Sequence, residues 1–330
     1  MLQQKTISLK ELAKFGSVKN MNEQALALIN QQRSVWDIVE KNFDALNRVN
    51  TKTFDFINFK IIVQFNPERI RSSVAKTDTK AIAARPCFLC LKNLPAEQKG
   101  IIFQNNYFIL TNPFPIFQKH LTISKFEHSP QLIQPYISDM LELSKELTDF
   151  TVFYNGPQCG ASAPDHFHFQ AGIKGLLPIE AEFANLENNY SEIIFQTNKT
   201  KIIAVENYLR PFVAVVSNNN DECINQTKRI ITILDNGKFD EPLLNILCNF
   251  ENGKWRIIIF PRVKQRSSHF FRTDNKQIIA SPAAVELGGV FVLPREEDFR
   301  KITQMEITEI YEEVAINKDD FEILKRKINE

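Results

Sequence analysis

Two stretches near the start of the chain, residues 22–30 and 34–49, carry apolar side chains at steps of three and four; in the second these are Val35, Ile38, Val39, Phe43 and Leu46. That period lines them up along one face of a helix, so residues 1–50 read as helical. Residues 54–65 read as strand, through Phe56, Phe59, Ile61, Ile62, Val63 and Phe65. A polar loop over 66–85 leads to short strands at 101–103, 107–110 and 120–123. Residues 131–150 have amphipathic spacing and predict a helix, and strands return at 151–154 and 166–171. The loop between these last two runs to about a dozen residues, a length that inside a compact domain usually serves a function.

The rest of the chain repeats this alternation. Strands are predicted at 193–196, 201–205 and 212–216, a helix over 223–234, strands at 255–260 and 289–293, and charged helices over 296–330. A boundary near 176–180 separates an N-terminal half, 1–180, from a C-terminal half, 181–330. Hairpins of strands with helices packed on them give an α+β fold built on antiparallel sheets. No short repeat and no low-complexity segment is evident.

Composition narrows the classes of function. Of 330 residues, 43% are hydrophobic and 27 are phenylalanine, enough for a sizeable core. The net charge of +1, without a basic stripe, speaks against nucleic acid as a partner. No apolar run approaches the ~18 residues that span a bilayer, and the N-terminus has no signal-peptide core. Five cysteines without regular spacing argue against a disulfide framework. A cytoplasmic protein with no membrane partner is expected, and any anionic ligand must be met by local arginines.

The chemistry concentrates in His166-Phe167-His168-Phe169-Gln170. Successive side chains of a strand point to opposite faces. His166, His168 and Gln170 are therefore expected on one face, with Phe167 and Phe169 anchored in a core on the other. Such a strand holds an imidazole rigidly at an exposed phosphate. Asn155-Gly156 and Gly160-Ala161-Ser162-Ala163-Pro164-Asp165 precede it and Ala171-Gly172 close it, which makes the motif far more specific than a bare His-x-His.

A second motif, Cys87-Phe88-Leu89-Cys90, sets two thiols on one tight turn, a spacing suited to tetrahedral zinc. Two further ligands are needed, and the histidines are at 120, 128, 166, 168 and 269. His128 lies in a polar Glu-His-Ser-Pro loop and His166 opens the alternating strand; with Cys87 and Cys90 they make a closed two-sulfur, two-nitrogen set, the structural kind. Two other readings of the cysteines stay open at this point, a redox pair and free buried thiols. His120 reads as a solvated or structural histidine, and Cys159, Cys223 and Cys248 as small apolar residues.

The order of these features resembles the galactose-1-phosphate uridylyltransferase branch of the histidine-triad superfamily. The similarity spans roughly residues 55–300. It runs from Ile61-Ile62-Val63-Gln64-Phe65-Asn66-Pro67-Glu68-Arg69-Ile70-Arg71 through Cys87-x-x-Cys90, Asn112-Pro113-Phe114-Pro115, Glu127-His128-Ser129 and Gly160-Ala161-Ser162 to the His-x-His-x-Gln motif. The resemblance implies two histidine-triad-like halves, the first carrying the active site. It implies a structural zinc on Cys87, Cys90, His128 and His166, with His168 as nucleophile and Gln170 steadying the phosphate. Asp165-His166-Phe167-His168-Phe169-Gln170-Ala171 is closer to the version found in GDP-hexose phosphorylases. So is Ser281-Pro282-Ala283-Ala284-Val285-Glu286-Leu287-Gly288-Gly289 followed by Arg295-Glu296-Glu297-Asp298-Phe299. The Gly160-Ala161-Ser162 turn is similar to diadenosine tetraphosphate phosphorylases as well. Asp165 is a departure, an extra residue before the first histidine relative to the uridylyltransferases.

The implied reaction cleaves a nucleotide-diphosphate sugar, GDP-hexose favoured, through a nucleotidyl-His168 intermediate. Phosphate or a sugar 1-phosphate is the acceptor. The rivals are a dinucleoside polyphosphate phosphorylase and a zinc-stabilised nucleotide-binding protein without turnover. Neutral imidazole both attacks and leaves, and its ordinary pKa near ~6.5 keeps it mostly unprotonated at neutral pH. The leaving group is already a stable anion, so the step needs positioning and charge stabilisation more than a strong acid. Gln170, Ser162 and the backbone of the 160–162 turn are expected donors, with Asn155 in the same loop. Arg69 and Arg71 suit the second phosphate, because a guanidinium binds oxyanions bidentately. Arg262, Lys264 and Arg266 form another basic cluster, read either as a solvated rim or as the contact for the acceptor phosphate, with His269 beside it. Glu286 reads either as the holder of a sugar hydroxyl or as a structural carboxylate. Relatives in this branch are often dimers, so a homodimer is expected.

Overall fold

The computed structural model describes residues 2–70, 74 and 79–330. Arg71 therefore lies outside the described residues. Thirteen strands are seen among the described residues: β1 (Asn50–Asp55), β2 (Lys60–Phe65), β3 (Gly100–Phe103), β4 (Tyr107–Thr111), β5 (His120–Lys125), β6 (Phe150–Asn155), β7 (His168–Ile173), β8 (Glu192–Gln196), β9 (Thr200–Val205), β10 (Phe212–Ser217), β11 (Leu244–Glu251), β12 (Lys254–Pro261) and β13 (Val290–Leu293).

Strands β3 to β12 form one antiparallel sheet in the order β3-β4-β5-β7-β6-β11-β12-β10-β9-β8. That order is one arrangement written twice. Each copy is a three-strand meander, then a helix, then a hairpin added in reverse order. The helices are Ile137–Glu146 in the first copy and Asn220–Leu234 in the second. The copies join edge to edge through β6 and β11, with Asn155 opposite Asn245 and Tyr154 opposite Ile246. A separate three-stranded sheet is built from β1, β2 and β13: β2 runs antiparallel to β1 and parallel to β13.

Strand alternation divides the core. On one face Ile123, Val152, Phe169, Ala171, Ile202, Val213, Ile246 and Ile257 belong to a single cluster with the helices Met21–Val35, Ile137–Glu146, Asn220–Leu234 and Lys318–Asn329. On the other face, Ile203, Val205, Phe212, Ala214, Leu247, Ile258 and Phe260 of the second copy pack under β13, the β1–β2 hairpin and the helices Pro178–Asn189 and Gln304–Val314. That cover stops short of β5 and β7, and the site lies there.

Several predicted elements need correction. The 54–65 run is the end of β1, a turn and β2; Phe56 and Phe59 stack at 4.7 Å inside the turn, so the apolar run does not require one continuous strand. The helix expected over 131–150 begins only at a 3-10 turn, Gln134–Tyr136, and Phe150 already belongs to β6. β11 was not predicted. It is covered on both faces, so it lacks the alternation that marks a half-buried strand. The helix Pro178–Asn189 was also missed, although its proline at the first position is a start signal.

Candidate active site

Strand β7 begins at His168, and His166 lies in the bend before it. The two histidines therefore part, contrary to the expectation that they share a face. His166 donates from Nε2 to the Lys125 carbonyl at 2.8 Å, at the end of β5. This fixes the tautomer and leaves Nδ1 with its lone pair toward Cys87 Sγ at 3.3 Å and Cys90 Sγ at 3.6 Å. His128 Nδ1 lies 3.2 Å from Cys90 Sγ. The four ligand atoms of Cys87, Cys90, His128 and His166 all lie within 4.8 Å of one another.

These spacings suit a metal. Bonds of about 2.3 Å to sulfur and 2.0–2.1 Å to nitrogen give a tetrahedron with edges of roughly 3.5 Å. Each histidine also has an outer partner of the kind that orients metal-bound imidazole: the Lys125 carbonyl for His166, and Asp165 Oδ2, at 3.7 Å, for His128. Asp165, the extra residue, is held by Arg85 at 3.2 Å, so it supports the set from outside. Burial pushes the Cys87 thiol up to about 11, so a bound cation must displace its proton. The four residues are equipped to hold a metal ion. They leave no position open for a substrate.

His168 points the other way, into a cavity of about 660 Å³. Its Nδ1 donates to the His166 carbonyl at 2.9 Å, and Nε2 makes no hydrogen bond to the described residues. Burial lowers its pKa to about 4, so the ring is neutral at physiological pH. The metal set and the free imidazole thus meet in one residue, because the backbone oxygen of His166 sets the tautomer of His168.

Gln170 shares the His168 face and also lines the cavity. Its Oε1 accepts from His120 Nε2 at 3.1 Å and from Asn112 Nδ2 at 3.4 Å. His120 Nδ1 accepts the Ile116 N–H at 3.1 Å, which obliges Nε2 to be the donor. The Gln170 amide is therefore oriented with its nitrogen left for a ligand. His120 is fully buried and its pKa falls to about 3, chiefly by burial and secondarily through Arg69. It is structural, as one reading held, and it is not solvated.

Asn155, Ser162 and Arg69 line the same cavity. Asn155 Oδ1 accepts from Asn245 Nδ2 and the Ala284 N–H, both at 2.9 Å. Arg69 donates to the Phe114 carbonyl at 2.8 Å, and burial lowers its pKa while Glu286 opposes that shift. Gly160 sits at φ +99°, and a Cβ there would lie 2.5 Å from the Ala283 Cβ, so only glycine lets this loop rest on the C-terminal half.

The second basic cluster is not gathered here. Arg262 is buried, and its guanidinium donates to the Val314, Pro282, Lys264 and Gln265 carbonyls and to Asn245 Oδ1 at 2.6–3.1 Å. It stands behind the cavity, bracing Asn245 and through it Asn155. Lys264 pairs with Glu313 at 2.7 Å, and His269 with Glu309 at 2.8 Å. None of these three lines the cavity, whereas Glu286 does.

Comparisons with known proteins agree with this architecture. Residues 28–173 match a domain of unknown function, DUF4922, and residues 184–330 match the GDPGP1-like C-terminal domain. No curated protein sequence matches the chain. Yeast Ap4A phosphorylase Apa2 superposes with a TM-score of 0.53 at 14% identity, over 86% of this chain and 94% of that one. Its complex with Ap4A gives 0.53 at 15%, over 86% and 97%. The chain therefore shares its fold with Ap4A phosphorylase, and its C-terminal part matches the GDPGP1-like domain. A uridylyltransferase mutant aligns over 85% of this chain and 97% of its own at 11% identity, with a TM-score of 0.40.

Within this fold, two supporting residues carry little or no signal in the sequence. His120 carries a signal only once the register of β5 against β7 is known, since its ring meets Gln170 across the ladder. Gln131 carries none, because nothing in a Pro-Gln-Leu segment marks an amide that bonds to another strand.

Proposed function

We propose that this protein is a nucleotidyltransferase of the phosphorylase type, working through a covalent nucleotidyl-His168. The observation that carries the reading is His168 itself: a neutral imidazole, anchored at Nδ1 and free at Nε2, on the wall of a ligand-sized cavity. His168 Nε2 attacks the α-phosphorus, and the phosphoanhydride bond breaks toward the departing sugar 1-phosphate. Inorganic phosphate then attacks the same phosphorus and releases the imidazole. The products are a nucleoside diphosphate and a sugar 1-phosphate. Gln170 Nε2 and Ser162 meet the phosphoryl oxygens, and Arg69 the neighbouring phosphate. Arg71 joins it in this reading.

A nucleotide-diphosphate sugar, GDP-hexose favoured, is the proposed substrate. The match to the GDPGP1-like domain supports it. Among the described residues the charged lining is Arg69, Arg85 and Glu286, and in this reading the Glu286 carboxylate meets sugar hydroxyls. The fold shared with Ap4A phosphorylase favours a second reading, a dinucleoside polyphosphate substrate. Zinc is the metal proposed for the two cysteines and two histidines, in a structural role that fixes the loop behind His168.

Incubation with GDP-hexoses, UDP-hexoses and diadenosine tetraphosphate, each with and without phosphate, separates these readings by product. GDP and hexose 1-phosphate are expected, and only with phosphate present. Normal turnover by His168→Ala would sink the mechanism. Failure to trap any covalent nucleotide would leave a binding protein in its place. Elemental analysis is expected to give about one zinc per chain.

A further inference from the structure

Strands β6 and β7 separate where the polar side chains emerge. Their ladder is paired from Phe150–Ile173 to Phe153–Gln170. Two residues further, the same register would set Asn155 opposite His168. The side chain of Gln131 occupies that place. Its Oε1 accepts the His168 N–H at 2.8 Å, and its Nε2 donates to the His168 carbonyl at 2.9 Å and the Asn155 carbonyl at 3.1 Å. Gln131 is fully buried. A side-chain amide thus substitutes for a peptide of the ladder and holds both main-chain polar groups of His168.

Gln131 is itself held from two directions. Its N–H donates to the Pro164 carbonyl at 3.1 Å, and its carbonyl receives the Tyr154 hydroxyl at 2.9 Å. That hydroxyl also lies 2.7 Å from Oε2 of Glu241, a buried residue just before β11, whose Oε1 accepts the Ile133 N–H. A phenol has one proton for these two acceptors. Both contacts are hydrogen bonds only when Glu241 is protonated, donating to Tyr154 while Tyr154 donates to Gln131. When Glu241 is ionised, the phenol proton turns to the carboxylate and the Gln131 carbonyl loses its donor.

We propose, on the reading of His168 as nucleophile, that Gln131 is the positioning residue for its imidazole and that Glu241, from the C-terminal half, locks Gln131 through Tyr154. Burial raises the Glu241 pKa to about 7, so both states of the lock are populated near neutrality. Tyr154 and Cys159 are the titratable groups facing Glu241, with Arg262 beyond Cys159; burial pushes Cys159 up to about 11 and Tyr154 well above its usual range, so neither titrates there.

Gln131→Glu keeps the shape and the acceptor but removes the donors to His168 and Asn155. It is expected to lower kcat about tenfold to a hundredfold with KM within about twofold. Glu241→Gln keeps a donor for Tyr154 and an acceptor for Ile133 with no proton to lose. The wild-type kcat is expected to decline as pH rises through about 7, and this limb is expected to vanish in Glu241→Gln. The His168 ring signals, followed by NMR, supply a readout without turnover. They shift with pH near neutrality in the wild type and stay still in Glu241→Gln. If no nucleotide is turned over, the catalytic reading fails while the NMR comparison still decides the positioning role. Wild-type kcat in Gln131→Glu, or ring signals that ignore Glu241→Gln, overturns it.

Discussion

The two five-stranded units of the large sheet share one topology and differ in what lies over the face away from the shared helical core. In the first unit, His168, Gln170, Thr122 and Asn112 border an open cavity. In the second, Ile203, Val205, Phe212, Ala214, Ile258 and Phe260 fill that face and are sealed. A polar face inside a protein persists only if each group finds a partner. The first unit supplies them, since His120 and Asn112 hold Gln170 and Gln131 holds His168. The second unit supplies apolar area instead. Repetition of a topology therefore does not repeat a site, and the cover laid over each copy decides which one keeps chemistry.

The contrast can be broken most directly at His168. His168→Ala is expected to lower turnover on the order of 10⁴-fold and to abolish covalent labelling. Activity surviving at wild-type level would place the chemistry elsewhere, and the asymmetry would lose its meaning. The matching test in the sealed copy is Phe212→Ala. It should cost about 3–5 kcal/mol in urea unfolding and leave KM unchanged in the folded fraction. A change in KM without loss of stability would contradict a purely packing role. A smaller effect is expected from His120→Phe, which fills the space but cannot donate to Gln170. Turnover should fall roughly tenfold, measured against a Tm close to wild type.

The smallest expected effect is on stability against acid. Burial lowers His168 to about 4 and His120 to about 3. Below the unfolded value of ~6.5 the unfolded chain binds more protons at these rings, so stability falls as pH drops. Between pH 6.5 and 5.5 each ring contributes about 1 kcal/mol of that loss. Urea midpoints for the wild type and His168→Asn, compared across this interval, should converge as the pH falls.

Much of this was legible in the residues alone. The helices Met21–Val35 and Asn220–Leu234 follow from hydrophobic period, and the meanders from short runs rich in Ile, Val and Phe. β11 and the supporting residues were not legible, for a common reason. Their character depends on what neighbours them, and neighbours are set by pairing across the chain. Arg262 is the clearest case: its charge suggests a surface, yet five acceptors gathered from distant segments let it be buried. Strand alternation puts His166 and His168 on one face only for a strand that begins at His166, and β7 begins two residues later. The bend at His166 divides a single motif between the cysteine–histidine cluster and the cavity wall.

The parallel pairing of β2 with β13 also has a consequence for biosynthesis. Arg69 follows β2 directly, so the segment that carries it is docked by a strand the ribosome delivers more than two hundred residues later. A nascent chain can complete its first meander early, but it has to wait for its last strand before that wall is seated. Truncated products would then be released with His168 on its strand and Arg69 without the strand that docks it.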